Sequence, residues 1–390
     1  MLLALSKHAL IAIIFIANFV ADGLNAQAQA QTVRSETVAS GLEHPWAVAF
    51  LPEGRFLVTE RPGRMRVVQA DGKLGPALAG LPAVAAGGQG GLLDVVTDSD
   101  FAQNRRLYFC YSEPGGGSGA NSTALARATL SADHSRLEDV QVIFSQKPKV
   151  GSSLHFGCRI VEARKEGKPD GTLFLTLGDR YSRLHDAQKL DNHHGKVIRI
   201  HKDGTIPQDN PFAAPSFVKS GALPDIWSYG HRNPQGATLA PDGTYWMHEH
   251  GPQGGDEINL PQPGRNYGWP AITYGENYGG GKIGEGLAAK ADMEQPLHYW
   301  VPSIAPSGMA FLTSERYGKA WQGNLFVGSL KFAYLNRIEL SEPYKGKVVR
   351  EHKLLADAGE RIRDVRQGPD GLLYVLTDSR QGRLLRLLPP

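Results

Sequence analysis

Along this chain apolar residues gather in short runs, each introduced by a turn signal, and they almost never recur at the interval of an amphipathic helix. The unit occurs six times: Pro52-Glu53-Gly54 before Phe56-Leu57-Val58, Asp100-Phe101 before Leu107-Tyr108-Phe109, and Pro169-Asp170-Gly171 before Leu173-Phe174-Leu175. Pro241-Asp242-Gly243 then leads into Tyr245-Trp246-Met247, Gln322-Gly323-Asn324 into Leu325-Phe326-Val327, and Pro369-Asp370-Gly371 into Leu372-Leu373-Tyr374. Six turn-and-strand units predict an all-β, six-bladed β-propeller built from four-stranded antiparallel blades. The units lie from roughly fifty to well over sixty residues apart, against about forty for a minimal blade. Long loops must therefore decorate one face, and function is expected there. A two-sheet sandwich of tandem hairpins is the alternative that so degenerate a repeat leaves open.

Composition agrees with many hairpins: 46 Gly and 25 Pro punctuate the 390 residues. The 42 basic and 39 acidic side chains leave a formal charge of +3, and no basic run is interleaved with aromatics. Nucleic acid and anionic membrane are thereby unfavourable partners. Lys7 and His8 precede an apolar run over residues 9–20, and Ala26-Gln27-Ala28 follows as a small-residue cleavage site. Residues 1–28 read as a secretory signal, cleaved near 26–30, which leaves one propeller domain over 32–390 in the periplasm or outside the cell. An uncleaved anchor is disfavoured because the run is short for a bilayer and is interrupted by Asn18.

Only Cys110 and Cys158 are present. In an oxidising compartment they are able to pair, but their apolar, strand-like surroundings favour two buried free thiols. Cys158 stands three residues from His155, a spacing that on a regular strand sends the side chains to opposite faces and argues against a Cys/His nucleophile.

The chemistry concentrates in Ser228-Tyr229-Gly230-His231-Arg232-Asn233-Pro234-Gln235-Gly236, then His250-Gly251-Pro252 and Asp256-Glu257-Ile258-Asn259. So many donors and acceptors in about thirty residues exceed what a core needs and mark a site. Leu154-His155-Phe156-Gly157 just before the third repeat strand adds a histidine, a residue type that is more often a structural hydrogen-bonding partner than a catalyst. His193-His194 and His248-Glu249-His250 have metal-ligand types at close spacing, but neither has a third ligand nearby in sequence.

Taken in order, Gly88-Gln89-Gly90-Gly91-Leu92-Leu93-Asp94, His155-Phe156-Gly157, Gly195-Lys196-Val197 leading to Asp203-Gly204-Thr205-Ile206-Pro207, the Gly-His-Arg-Asn-Pro-Gln-Gly cassette, Asn266-Tyr267-Gly268-Trp269-Pro270 and Arg361-Ile362-Arg363-Asp364-Val365 resemble the soluble quinoprotein sugar dehydrogenases. The resemblance spans nearly the whole mature chain and is strongest toward the periplasmic aldose sugar dehydrogenase branch. It implies a propeller whose top face holds pyrroloquinoline quinone (PQQ) and calcium. PQQ is a planar ortho-quinone with three carboxylates, so cations should line its pocket, and Arg232, Lys331, Arg361 and Arg363 are the matching positions. Arg361 and Arg363 are two apart and face one way on an extended segment; an anionic ligand would explain such paired like charges. Gln89 and Asn233 would add amide hydrogen bonds, Ser303 and Ser329 join the cofactor set, and Tyr278 would pack beside the quinone. The resemblance also implies calcium on the carbonyls of Gly251 and Pro252, and a second calcium on the Glu257 carboxylate and the Tyr267 carbonyl.

The implied reaction oxidises an aldose at C1 to the lactone, with neutral His155 as general base and Arg232 stabilising negative charge on the reduced cofactor. Leu154 and Val301 replace an aspartate and a tryptophan of the glucose-oxidising relatives, so a broad aldose range including disaccharides is expected. No Cys-x-x-Cys-His haem motif occurs, so electrons must leave to an external quinone or small redox carrier. No heptad seam or long apolar surface strand argues for a dimer, and a monomer is expected. The rival readings are a calcium-dependent lactonase-type propeller, with axial carboxylate and amide ligands, and a non-catalytic carbohydrate-binding propeller.

Overall fold

The computed structural model describes residues 33–117 and 119–390, so the signal segment expected over 1–28 lies outside the described residues. Six four-stranded antiparallel sheets form the blades of a propeller, as the repeat predicts. Blades 1 to 5 run over residues 45–77, 92–145, 157–229, 234–300 and 306–354. Blade 6 combines Ile362–Gln367, Leu373–Thr377 and Gly382–Leu388 with the N-terminal strand Arg34–Leu42. Arg34 pairs with Leu388 and Leu42 with Gly382, which ties the two ends of the described chain together and closes the ring.

Each apolar run read from the sequence falls in or at the start of the second strand of its blade, and the turn signal before it links that strand to the first except in blade 3, where Pro169-Asp170-Gly171 lies within the second strand, Lys168–Leu177. The Pro-Asp-Gly units work in the same way three times. The aspartate accepts a backbone N–H two residues on, Asp170 from Thr172 at 2.8 Å, Asp242 from Thr244 at 2.9 Å and Asp370 from Leu372 at 3.1 Å. The intervening Gly171, Gly243 and Gly371 have φ of 84°, 90° and 78°, where a side chain would be strained.

The first strands surround the propeller axis, each packed against the first strands of its neighbours, which excludes a two-sheet sandwich. Their inward side chains include charges that cancel. Arg159 Nη1 lies 3.1 Å from both Asp94 and Asp364, while Arg366 reaches Asp94 at 2.7 Å and Asp364 at 3.0 Å. The backbone N–H groups of Ile160 and Val48 donate to the same two carboxylates, so this cluster links four blades across the axis. Between blades, apolar side chains such as Leu57, Phe109, Leu175, Met247, Phe326 and Val375 form the core.

Cys110 and Cys158 are joined, with Cα atoms 5.7 Å apart, which corrects the expectation of two free thiols. The bond ties strand Arg106–Pro114 of blade 2 to strand Gly157–Lys165 of blade 3. Apolar surroundings suit a buried disulfide as well as a buried thiol; at Cys158 the strand is also irregular, with a φ of 81° and a register shift between Gly157 and Ile160. Closing a loop of 48 residues contributes about 4 kcal/mol in the chain-entropy view.

Candidate active site

Second strands run toward the same face in every blade and have a polar residue within two positions of their ends there: Glu60, Ser112, Asp179, Glu249, Ser329 and Asp378. First strands begin at that face, which brings the His155 and Arg232-Asn233 segments beside them. Two adjoining clefts open there, and Pro252 and Tyr278 line both.

The smaller, 500 Å³ cleft contains His155, Asp179, Tyr181, Arg232 and Trp269. His155 is buried, and its Nδ1 lies 2.6 Å from Asp179 Oδ1. An ionised carboxylate only accepts, so Nδ1 carries the proton and Nε2 is left as the free base. Asp179 is itself held by the Trp269 indole N–H at 2.7 Å and the Tyr181 backbone N–H at 2.7 Å. Burial alone would raise the Asp179 pKa, but His155 and Arg232 outweigh it and hold the carboxyl below its usual range. His155 is lowered by burial foremost; Asp179 opposes the shift, and the charges of Arg232 and Arg180 reinforce it. A neutral, oriented imidazole results, suited to taking a proton.

The larger cleft, 870 Å³, is lined by Gln89, Ser303, Lys331, Arg361 and Arg363 among the expected residues, with Trp46, Arg61 and Val301 beside them. Gln89 Oε1 accepts the His155 backbone N–H at 2.8 Å, coupling the two clefts. Arg361 and Arg363 do not face each other unscreened as the sequence suggests: both donate to Asp378 Oδ2, at 3.1 and 3.3 Å, and His44 reaches the other oxygen at 2.9 Å. Burial pulls the Arg363 pKa down to about 10. Trp46 lies beneath two guanidiniums, Arg159 at 4.4 Å and Arg363 at 5.9 Å from its ring centroid. Four cations thus line the cleft against Glu276 on its wall and the shared Asp378.

Other expected residues sit elsewhere. Asn233 is buried behind the clefts, its Oδ1 accepting from Gly157 and Gln235 while Nδ2 has no partner among the described residues. Ser329 is fully buried and bonds the Ile304 carbonyl at 2.8 Å and the Phe332 N–H at 3.2 Å, so it braces a turn and does not line the cofactor cleft. Ser303 does line it, although its hydroxyl donates to Asp256 at 2.5 Å. Asp179, Trp46, Trp269 and Tyr181 were not foreseen. The repeat contained the signal for Asp179, because it stands six residues after the start of its apolar run at Leu173, as Asp378 does after Leu372 in blade 6.

The donor set fits PQQ. It offers an excess of cations, and both Asn233 Nδ2 and Arg232 Nε are buried donors lacking an acceptor among the described residues. Calcium finds two candidate places. At Gly251 an added Cβ would lie 2.2 Å from the Gly255 carbonyl and 2.3 Å from that of Gly254, so only glycine allows these oxygens to converge. The Gly251 carbonyl already accepts from Arg232 Nη1 at 2.6 Å, and a metal ion there would share or displace that bond. At the second place burial and the nearby Glu249 carboxylate push Glu257 up to about 8, Asn259 donates to both acids at 3.2 Å, and Asn259 Oδ1 lacks a partner among the described residues. Hard oxygen donors with mutual repulsion suit calcium. No group of three His, Cys, Asp or Glu side chains converges among the described residues, so carbonyl and amide oxygens must complete either set. His193, His194 and His250 each bond a protein partner, Asp225, Asp186 and the Pro306 carbonyl respectively.

A family model described as glucose/sorbosone dehydrogenase matches residues 42–386. The chain belongs to this family. Within it, an aldose sugar dehydrogenase of Escherichia coli strain K12 is 47% identical over 361 residues, covering 92% of this chain and 93% of that one. The crystal structure of the soluble E. coli aldose sugar dehydrogenase in its apo form superposes with a TM-score of 0.85 at 46% identity, over 92% of this chain and 100% of the other. A PQQ-bound aldose sugar dehydrogenase from Streptomyces coelicolor gives a TM-score of 0.71 at 26% identity, again over 92% and 100%. The resemblance to the soluble quinoprotein sugar dehydrogenases, carried by the ordered motifs, is thereby borne out, together with the six-bladed fold.

Proposed function

We propose that this protein is an exported, PQQ- and calcium-dependent aldose sugar dehydrogenase that oxidises the sugar at C1 to a lactone. The observation that carries the proposal is the His155–Asp179 pair at 2.6 Å, opening onto a cleft that adjoins one with an excess of cations. Family membership and the PQQ-bound relative support the cofactor assignment.

Arg361, Arg363 and Lys331 would hold the carboxylates of PQQ, with Gln89 bonding its polar edge; Asn233, buried beyond the cleft lining, would meet it only through its unpartnered Nδ2. The Gly251 and Pro252 carbonyls would receive one calcium, and Glu257 with Tyr267 a second. When bound, PQQ with calcium supplies a two-electron hydride acceptor. His155 Nε2 would take the anomeric hydroxyl proton as the C1 hydride departs, and Asp179 would stabilise the imidazolium that forms. Arg232, released from the Gly251 carbonyl, would balance negative charge next to the sugar. Tyr181 and Tyr278, 48% and 64% exposed, leave the mouth open and apolar, which favours a broad aldose range. An external quinone or small redox carrier would take the electrons. The disulfide supports export, because such bonds persist in oxidising compartments.

The lactonase-type reading is disfavoured by the axis, where Asp94 and Asp364 are engaged by Arg159 and Arg366 and leave no carboxylate set for a metal ion. The test is dye reduction with glucose, with and without PQQ and calcium, beside His155→Ala. Activity should require both additions, and His155→Ala should lower kcat by about two to four orders of magnitude with PQQ still bound. Turnover indifferent to both additions would overturn the proposal. Sugar binding without dye reduction would favour the non-catalytic propeller.

A further inference from the structure

Arg180, the residue after Asp179, is fully buried yet pairs with no carboxylate among the described residues. Its Nη1 donates to the Leu154 carbonyl at 2.9 Å and its Nη2 to the Ser152 carbonyl at 2.5 Å and to Asn121 Oδ1. The guanidinium also lies over the Phe156 ring, 3.5 Å from the centroid. Three of these four contacts grip the segment that carries His155, on both sides of it. Burial draws the Arg180 pKa down to about 9, and the charge of the neighbouring Asp179 only partly offsets it. Interior arginines are ordinarily paired, so fold stability alone gives no reason for a lone one here.

The gripped segment is strained. His155 has φ of 51°, Arg180 of 58° and Tyr181 of 64°, three non-glycine residues in the left-handed region around one imidazole. Gly178 packs so closely that an added Cβ would lie 2.1 Å from the His155 carbonyl. Asp179 fixes the His155 ring, Gln89 holds the His155 N–H through Oε1 and the Ser153 carbonyl through its own N–H at 2.8 Å, and Thr123 Oγ1 donates to the Phe156 carbonyl at 2.6 Å; Arg180 adds a single planar group that reaches the segment before and after His155 at once.

We propose that Arg180 is a positioning residue: its planar fork and stacked face hold residues 152–156 so that His155 keeps its left-handed backbone and presents Nε2 to the sugar. This rests on the dehydrogenase reading given above. Lysine retains the charge but has neither the fork nor the stacking plane, so charge and geometry are separable. A displacement of about 1 Å at a reacting group lowers rate by about a hundredfold.

The experiment compares Arg180→Lys, Arg180→Met and Asn121→Ala with the wild type and His155→Ala, all loaded with PQQ and calcium and assayed with glucose and C1-deuterated glucose. Arg180→Met should lower kcat about a hundredfold and Arg180→Lys about tenfold, with sugar KM and PQQ affinity within about threefold of wild type. The deuterium isotope effect on kcat should rise in both, because hydride and proton removal becomes the slow step. Asn121→Ala removes one anchor of the fork and should give a smaller effect in the same direction, which keeps the test decisive where Arg180→Met does not fold. Unchanged kcat, or a loss matched by equal loss of PQQ affinity with no rise in isotope effect, would overturn the positioning role. Full activity of His155→Ala would instead overturn the dehydrogenase mechanism on which it rests.

Discussion

The axis and the top face of this propeller both bury arginines, and they do so on opposite terms. Around the axis Arg159 and Arg366 meet Asp94 and Asp364, with backbone N–H groups satisfying the remaining oxygens. On the top face Arg363, Arg361, Lys331 and Arg61 share far less acid; a guanidinium nitrogen without an acceptor among the described residues occurs in both places, Arg159 Nη2 at the axis and Arg232 Nε on the top face, so the balance of charge is what distinguishes them. A balanced cluster joins blades; an unbalanced one awaits an anion. The difference separates residues that serve the scaffold from residues that serve a ligand: the axial Arg159 is buried with its carboxylates, whereas on the top face Arg363 is buried while Arg361 and Lys331 are exposed.

The contrast is open to several breaks. Asp364→Asn leaves two axial arginines with one carboxylate and should cost about 3–5 kcal/mol of stability, measured by denaturant unfolding, while PQQ affinity of the folded fraction stays unchanged. A loss of PQQ affinity without loss of stability would erase the distinction. Replacing Cys110 and Cys158 together by Ser should cost about 2–4 kcal/mol, with kcat near that of the wild type at temperatures where the fold survives; a collapse of kcat there would make the bond part of the catalytic apparatus.

Smaller effects belong to the Glu249 and Glu257 pair. Because Glu257 is pushed up to about 8, it carries a proton below that pH, and calcium must displace it. Calcium affinity, read from the metal-dependent rise in Tm, should therefore climb by up to about tenfold per pH unit up to about 8 and then level off. Affinity independent of pH between 6 and 9 would remove Glu257 from the ligand set.

The blades were legible because each turn signal acts locally: in three blades an aspartate and a left-handed glycine precede the apolar run of the second strand, and in the other three a looser turn signal precedes the same kind of buried run. The cations of the cleft were legible from position, since Arg361 and Arg363 share a face on an extended strand. Their partner was not, because Asp378 arrives from the next strand and nothing in sequence spacing points to it. Asp179 escaped for a similar reason: its contact with His155 joins the exit of one strand to the entry of another. The disulfide escaped because apolar, strand-like surroundings suit a buried thiol and a buried disulfide equally, and nothing in sequence spacing places Cys110 of one blade beside Cys158 of the next. Local rules fail where the chain leaves its regular conformation, and the site is built there.

The most direct test of the account is calorimetric titration of PQQ, with calcium present, into the apo-protein and into a variant carrying Arg361→Ala and Arg363→Ala. The account expects one PQQ per chain, at least a tenfold weaker affinity in the variant and a nearly unchanged Tm, since charge-assisted hydrogen bonds of about 1.5–3 kcal/mol each would be lost to the ligand and not to the fold. Equal affinity in both proteins, or a fall in Tm with affinity retained, would mean that the top-face arginines serve the scaffold as the axial ones do.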